Sequence, residues 1–248
     1  MNKFPDHFSH QANLYARFRP QYPKELYAFI TRHVQTKNRV WDCGTGNGQA
    51  AKALSQYFSH VHATDPSEQQ LKSAQLADQI VYRVATAEDP PFPDQYFDLI
   101  TVAQALHWFK FPAFFAQVKR LLKPEGILAV WGYQLLRINP DLDPCLQHFY
   151  TQVVGPYWPQ QRKHIDNAYA DIPFPFPVLE VPTFSIDVDW DLAQLCGYLR
   201  TWSSVKAYVR ATANDPVGKL EKELGTIWSN PLTKRKIVFP IFLKMARL

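Results

Sequence analysis

Glycine is scarce in this chain of 248 residues, which has nine. Cysteine is scarcer still, with Cys43, Cys145 and Cys196 odd in number, far apart and without CxxC spacing. That pattern supports neither a disulfide framework nor a zinc site. No apolar run is long enough to cross a bilayer. The opening MNKFPDHFSH has no apolar core of the kind a signal peptide needs. The expectation is a soluble, reduced, cytoplasmic protein with no membrane partner. Charge of one sign is not concentrated either. The formal net charge is +5, but Lys and Arg are scattered, and the densest run, Lys234–Lys236, stands before an apolar tail. It reads as a solvated turn rather than a nucleic-acid surface. No GxxxxGK(S/T) loop occurs, which argues against a nucleoside triphosphate.

Apolar residues are plentiful at 46%, against 20% charged, so a sizeable core is available. Aromatic content of 15% points to a thick core or an aromatic-lined pocket, and composition leaves both open. Residues 23–34 read as a helix with Leu26, Tyr27, Ile30 and Val34 on one face. Between 38 and 133 short apolar strands (NRVWDCG, HVHATD, QIVYRVA, YFDLITVA, ILAVWGY) alternate with helical stripes. One such stripe is Ala50, Ala53, Leu54, Tyr57 and Phe58; another is Phe115, Val118, Leu121 and Leu122, stopped by a turn at KPEG. This alternation predicts a parallel sheet with helices on both faces. Beyond Tyr133 the regularity breaks. FSIDVDW predicts a strand, Asp191 and Pro216 each open a helix, and KIVFPIFLKMARL closes as a strand whose Pro240 implies an edge or a bulge.

The scarce glycines are clustered: Gly44, Gly46 and Gly48 fall within DCGTGNG, at the exit of the first strand. A plain turn needs one glycine, so three in alternation mark backbone that bends sharply or lies against a ligand. The dinucleotide pattern GxGxxG would need its third glycine at position 49, which is Gln49, and this disfavours a pyrophosphate-bearing cofactor and a nicotinamide oxidoreductase. Ligands of open parallel sheets bind outside the carboxyl ends of the strands. The second strand ends at Asp65, whose carboxylate can accept from a ribose diol, while Asp42 one strand over suits an ammonium. The alternative for Asp65 is a cap on the following helix, where Ser67 and Gln70 have capping-box spacing. Ribose and ammonium without phosphate describe S-adenosylmethionine.

The ordered set VWDCGTGNGQ, VHATDPS, ATAEDPPFPDQYFDLITVAQALHWF, LLKPEGILAVWGY and DLAQLCGYLRTWSSVKAY resembles the class I S-adenosylmethionine-dependent methyltransferases. The likeness is to the small-molecule branch that includes trans-aconitate methyltransferase-like proteins. The resemblance implies a Rossmann-like seven-stranded, mostly parallel sheet with helices on both faces. It implies one methyltransferase domain over 1–248, with N-terminal cofactor-covering helices (1–37), a cofactor-binding core (38–133) and a substrate cap with the closing strands (134–248). It places Gly44, Thr45, Gly46, Gly48 and Gln49 along the cofactor, with Asp42 on its amino group through water. Asp65, Pro66 and Ser67 fall at the ribose and adenine, Ala87 and Glu88 at the adenine edge, and Gln104 and Ala105 along the methionine. FSHQANLYARFRP resembles a segment that folds over the cofactor, with Phe8 and Tyr15 as contacts and Arg19 as partner of the methionine carboxylate. Alone, Arg19 is also compatible with a surface ion pair, and Phe8 and Tyr15 with core.

For the acceptor side, His107 is the candidate catalytic residue, orienting substrate or acting as base; the alternative is a histidine bonded to backbone. Trp108, Trp131 and Tyr133 are candidates for the pocket wall, although tryptophan is buried in most folds. Arg200, Trp202 and Tyr208 come from GYLRTWSSVKAY, where Arg200 either clamps an anionic substrate or closes a surface salt bridge. No N/D-P-P-Y/F follows the fourth strand, which disfavours macromolecular amines as substrates. The expectation is methylation of a small organic molecule, a carboxylic acid giving a methyl ester by family analogy, with no nucleic-acid partner and a monomer or homodimer. An RNA or protein methyltransferase and a non-catalytic S-adenosylmethionine-binding protein are the alternatives.

Overall fold

The computed structural model describes residues 19–248. One seven-stranded sheet has the order β3-β2-β1-β4-β5-β7-β6. Its strands are β1 (Arg39–Cys43), β2 (His60–Asp65), β3 (Ile80–Val84), β4 (Phe97–Ala103), β5 (Leu122–Tyr133), β6 (Phe184–Trp190) and β7 (Arg235–Arg247). All pairs from β3 across to β5 are parallel; β7 runs antiparallel to both β5 and β6. This is the mostly parallel Rossmann-like sheet that the alternating pattern predicts.

The central strands are apolar on both faces because helices cover both. Along β1, β4 and β5 successive side chains go to opposite clusters: Val40, Leu99 and Ile127 pack on one side, Trp41, Ile100 and Leu128 on the other. The first cluster takes the apolar stripes of α1 (Lys24–Arg32) and α2 (Gln49–Leu54); the second takes α4 (Phe111–Leu121). Between α2 and α4 lies α3 (Glu68–Lys72), a short exposed helix capped by Ser67, whose hydroxyl accepts from the Gln70 amide. At the amino end of β4, buried Asp98 accepts from the amides of Asn38 and Arg39, from the Thr36 hydroxyl and from Lys123. That knot fixes the start of β1 against β4 and leaves the far ends of both strands to shape a site.

After β5 come α5 (Asp143–His148), short irregular turns of helix over Phe149–Val153 and Gly155–Tyr157, and α6 (Arg162–Asp166). Between β6 and β7 lie α7 (Leu192–Arg200), α8 (Ser203–Thr212) and α9 (Pro216–Trp228). Asp191 opens α7 with a full capping box to Gln194.

Two local readings are corrected. KPEG is not a turn between elements but an irregularity inside β5. Pairing with β4 jumps there from Phe97–Leu122 to Leu99–Ile127, and Glu125 has φ 63°. Pro240 does not mark an edge, since β7 lies between β5 and β6. It is tolerated because Ile241 pairs with Tyr133, the last residue of β5, so the missing N–H of Pro240 falls where that neighbour is leaving the sheet. Helix α8 adds an element to those read from the sequence: Val205, Tyr208, Val209 and Thr212 fall on one face, and Ser204 and Val205 are its buried residues.

Candidate active site

The strand order reverses between β2-β1 and β4-β5, and the loops leaving β1 and β4 diverge there. The β1 loop is pinned to β2 by the amides of Gly44 and Thr45, both donating to the Thr64 carbonyl at 2.9 Å. The Gly46 amide donates to Asp65 Oδ2 at 2.9 Å, and the Ser67 amide to Asp65 Oδ1 at 2.9 Å. Asp65 thus ties the glycine loop to the start of α3. Gly44, Gly46 and Gly48 all have positive φ. Their surroundings differ. A Cβ at Gly46 would meet nothing within 4 Å, whereas one at Gly48 would lie 2.2 Å from Tyr82 Oη. Gly46 therefore leaves a cradle open, and Gly48 makes room for a tyrosine that bonds the Gln75 carbonyl.

A cavity of about 600 Å³ opens at this point. Its floor includes Gly44, Thr45, Gly46 and Gln49 from the β1 loop, and Asp65, Pro66 and Ser67 from the β2 end. From β4 come Gln104, Ala105, His107 and Trp108; Tyr133 comes from β5. Arg19 and Tyr22 close one side, and Trp158, Arg162, Tyr198 and Trp202 form the cap wall. Gln104 has φ 55°, and its side-chain amide pairs with Tyr133 like a peptide group: Oε1 accepts from the Tyr133 amide and Nε2 donates to the Tyr133 carbonyl. Gly132 permits this, since a Cβ there would sit 2.4 Å from Gln104 Oε1. Sequence reading did not anticipate Gly132.

Comparison with known proteins agrees with this architecture. Residues 41–130 match the methyltransferase domain family. A protein of Dictyostelium discoideum described as a methyltransferase is 33% identical over 252 residues, spanning 99% of this chain and 96% of that one. A solved structure from Anaeromyxobacter dehalogenans, described as a type II methyltransferase, shares 35% identity with a TM-score of 0.87, covering 93% of this chain and 98% of that one. A Saccharomyces cerevisiae protein described as an S-adenosylmethionine-dependent methyltransferase is 31% identical over 48% of this chain and 44% of its own length. The chain belongs to the class I S-adenosylmethionine-dependent methyltransferases.

The methyltransferase's cofactor fits the residues present: an open cradle at Gly46 lies beside a carboxylate at the β2 tip. Other expected cofactor contacts stand elsewhere. Asp42 is fully buried, with its oxygens accepting from Thr45 and Thr101, so it braces the loop from behind rather than facing the cavity. Ala87 is buried, and Glu88 Oε1 accepts from the Lys110 amide at the start of α4. Neither Ala87 nor Glu88 lines the cavity, and Gly48 does not either. Phe8 and Tyr15 lie outside the described residues.

On the acceptor side, Trp202, Trp108 and Tyr133 line the cavity, but Trp131 is wholly buried in the core behind Tyr22 and Tyr27, whose rings meet its face edge-on. Tyr208 packs on Tyr157, outside the cavity lining. Arg200 is exposed and bridges Asp215 and Glu221, so it closes a surface salt bridge and is no substrate clamp. The arginine that does line the cap is Arg162, in the aperiodic stretch YWPQQRKH.

His107 bonds through Nδ1 to the Tyr169 hydroxyl at 2.9 Å, not to backbone. Burial, with the positive charges of Arg162, His164 and Arg19, lowers its pKa from 6.5 to about 3. Asp42 moves the other way, to about 6, because burial outweighs the hydrogen bonds from Thr45 and Thr101. Below pH 6.5 the unfolded chain takes up a proton at His107 that the folded protein refuses until about 3, so stability falls as pH drops through that window. Asp42 holds a proton in the folded state between about 3.8 and 6 and opposes that slope. The expected result for His107→Gln follows. Its stability deficit relative to wild type shrinks as pH falls from 7.5 to 4.5, at up to about 1.4 kcal/mol per pH unit. Denaturant titrations at both pH values measure it, and an equal deficit at the two removes His107 from the acid response.

Proposed function

We propose that this methyltransferase acts on a small organic acid and transfers the methyl group to a carboxylate oxygen, giving a methyl ester. The observation that carries this reading is the character of the cavity's acceptor side. His107 is the one imidazole among the described lining residues, and it is held neutral and weakly basic between cations. A general base works best with a pKa near the operating pH, and about 3 is far from it. Phenols, amines and carbon acids need such a base; an ionised carboxylate does not. On the cap side of the same chamber Arg162 supplies a cation that favours an anion.

When bound, S-adenosylmethionine supplies a methyl carbon already activated by its positive sulfur. The chain's own contribution is positioning and exclusion of water. Gly44, Thr45, Gly46 and Gln49 hold the cofactor's length, Asp65 its ribose hydroxyls, and Gln104 and Ala105 its amino-acid end, with Arg19 toward the carboxylate. His107, braced by Tyr169, and Trp108 align the acceptor.

The test is transfer of labelled methyl from S-adenosylmethionine to panels of carboxylic acids, phenols and amines. The expected product releases its label as methanol in alkali, and kcat/KM shows no rising limb between pH 6.5 and 8.5. Label in phenols or amines, or a rate climbing with pH, overturns the proposal.

A further inference from the structure

The cap wall contains an arginine that, among the described residues, is held on one edge only. Arg162 donates from Nε to Tyr150 Oη at 2.8 Å, and Tyr150 Oη in turn donates to Asp166 Oδ1. Asp166 Oδ1 stands 3.5 Å from the same Nε. Among the described residues no acceptor lies on either Nη. An arginine whose task was to neutralise Asp166 would turn its two-pronged edge to that carboxylate, since the bidentate pairing is the strong one. Here the single N–H is spent on the Tyr150–Asp166 relay, and Arg162 is among the residues lining the cavity, with its side chain 19% exposed.

The surroundings make that edge rigid. The guanidinium carbon lies 4.6 Å from the Trp158 ring centroid and 5.4 Å from that of Tyr150. Trp158 and Trp202 are 5.5 Å apart by centroid, and Tyr198 packs edge-on to Trp202 at 5.9 Å. Three of these residues, Trp158, Tyr198 and Trp202, line the cavity. Guanidinium stacking on aromatic faces fixes the plane of the fork, so little rotamer freedom remains to be lost when an anion docks. Flat indole and phenol walls favour a flat guest over a flexible chain of equal volume.

We propose that Arg162 is the anion clamp of the substrate chamber, taking a carboxylate of a flat, conjugated or aromatic acid laid against Trp158 and Trp202. This deepens the organic-acid reading above and rests on it for the substrate class. The role expected of Arg200 passes to a residue from a different part of the cap.

The experiment uses the full chain saturated with S-adenosylhomocysteine and measures binding of trans-cinnamate, cinnamamide and hexanoate by calorimetry. Wild type is expected to prefer cinnamate to cinnamamide and to hexanoate by at least fivefold each. Arg162→Gln is expected to lose cinnamate affinity at least tenfold while cinnamamide stays within twofold. Arg162→Lys, which keeps the charge without the fork, falls between, and it carries the test if the glutamine variant does not fold. The proposal is overturned if wild type shows no preference for the acid. It is also overturned if the variants bind cinnamate as wild type does, or if acid and amide weaken together, the mark of a purely structural arginine. Acid binding through Arg162 without any ester formed would fail the reaction reading and leave the clamp standing. Undiminished ester formation in Arg162→Gln would do the reverse.

Discussion

Gly44→Ala is expected to lower stability by about 2–5 kcal/mol and to remove measurable binding of S-adenosylhomocysteine. Gly44 has φ 69°, a conformation that costs an L-residue about 1–2 kcal/mol. The added Cβ would also fall 2.7 Å from the Cβ of Ala105 and 3.2 Å from Phe109 Cζ. A flexible side chain could swing aside, but the Ala105 methyl is fixed to backbone and buried, and it follows directly on Gln104, itself at φ 55°. The β1 loop and the β4 loop are therefore the two lips of one crevice, in van der Waals contact at this point. Forcing them apart adds an overpacking cost of about 1–3 kcal/mol and moves both walls of the cavity. Gly46→Ala is the contrasting control. Its Cβ meets nothing, so its stability loss is limited to the backbone term, while the methyl enters the cradle and weakens binding. Equilibrium denaturation and calorimetry on both variants check this. A Gly44→Ala protein as stable as wild type would mean the lips do not touch.

How far this was legible in the sequence depends on what each segment packs against. The strands β2 and β6 coincide with HVHATD and FSIDVDW because apolar runs bounded by polar residues carry their own limits. The glycine loop was legible because three costly residues in alternation have few uses. Asp42 was misread, since a carboxylate at a strand tip looks the same in sequence whether it faces ligand or is buried behind Thr45 and Thr101. The cap was opaque for a different reason. Tyr150, Trp158 and Arg162 come from one irregular stretch and Trp202 from a distant helix boundary, and only the fold brings them within ring contact. Arg200 within GYLRTWSSVKAY fits a substrate clamp and a surface salt bridge equally in sequence, and only the fold decides, pointing it outward to Asp215 and Glu221.

Asp65→Asn is expected to weaken S-adenosylhomocysteine binding about 10- to 100-fold, near 1.4–3 kcal/mol, the range for losing a charged hydrogen-bond partner. Two readings of Asp65 compete, as loop clip and as ribose acceptor, and the structure establishes the first: both carboxylate oxygens accept backbone amides, from Gly46 and Ser67. That use does not exhaust a carboxylate, which accepts at about four lone-pair positions. Asparagine keeps one acceptor oxygen but turns an N–H toward a backbone N–H, so one clip bond is lost in either reading. The two are separated by a cycle that pairs this variant with the 2′-deoxyribose analogue of the cofactor product. If Asp65 takes the diol, deleting the hydroxyl and altering the carboxylate overlap, and the double change costs less than the sum of the singles. If Asp65 only fastens the glycine loop to α3, the two losses add. Strict additivity in the cycle would reduce this residue to a fastening.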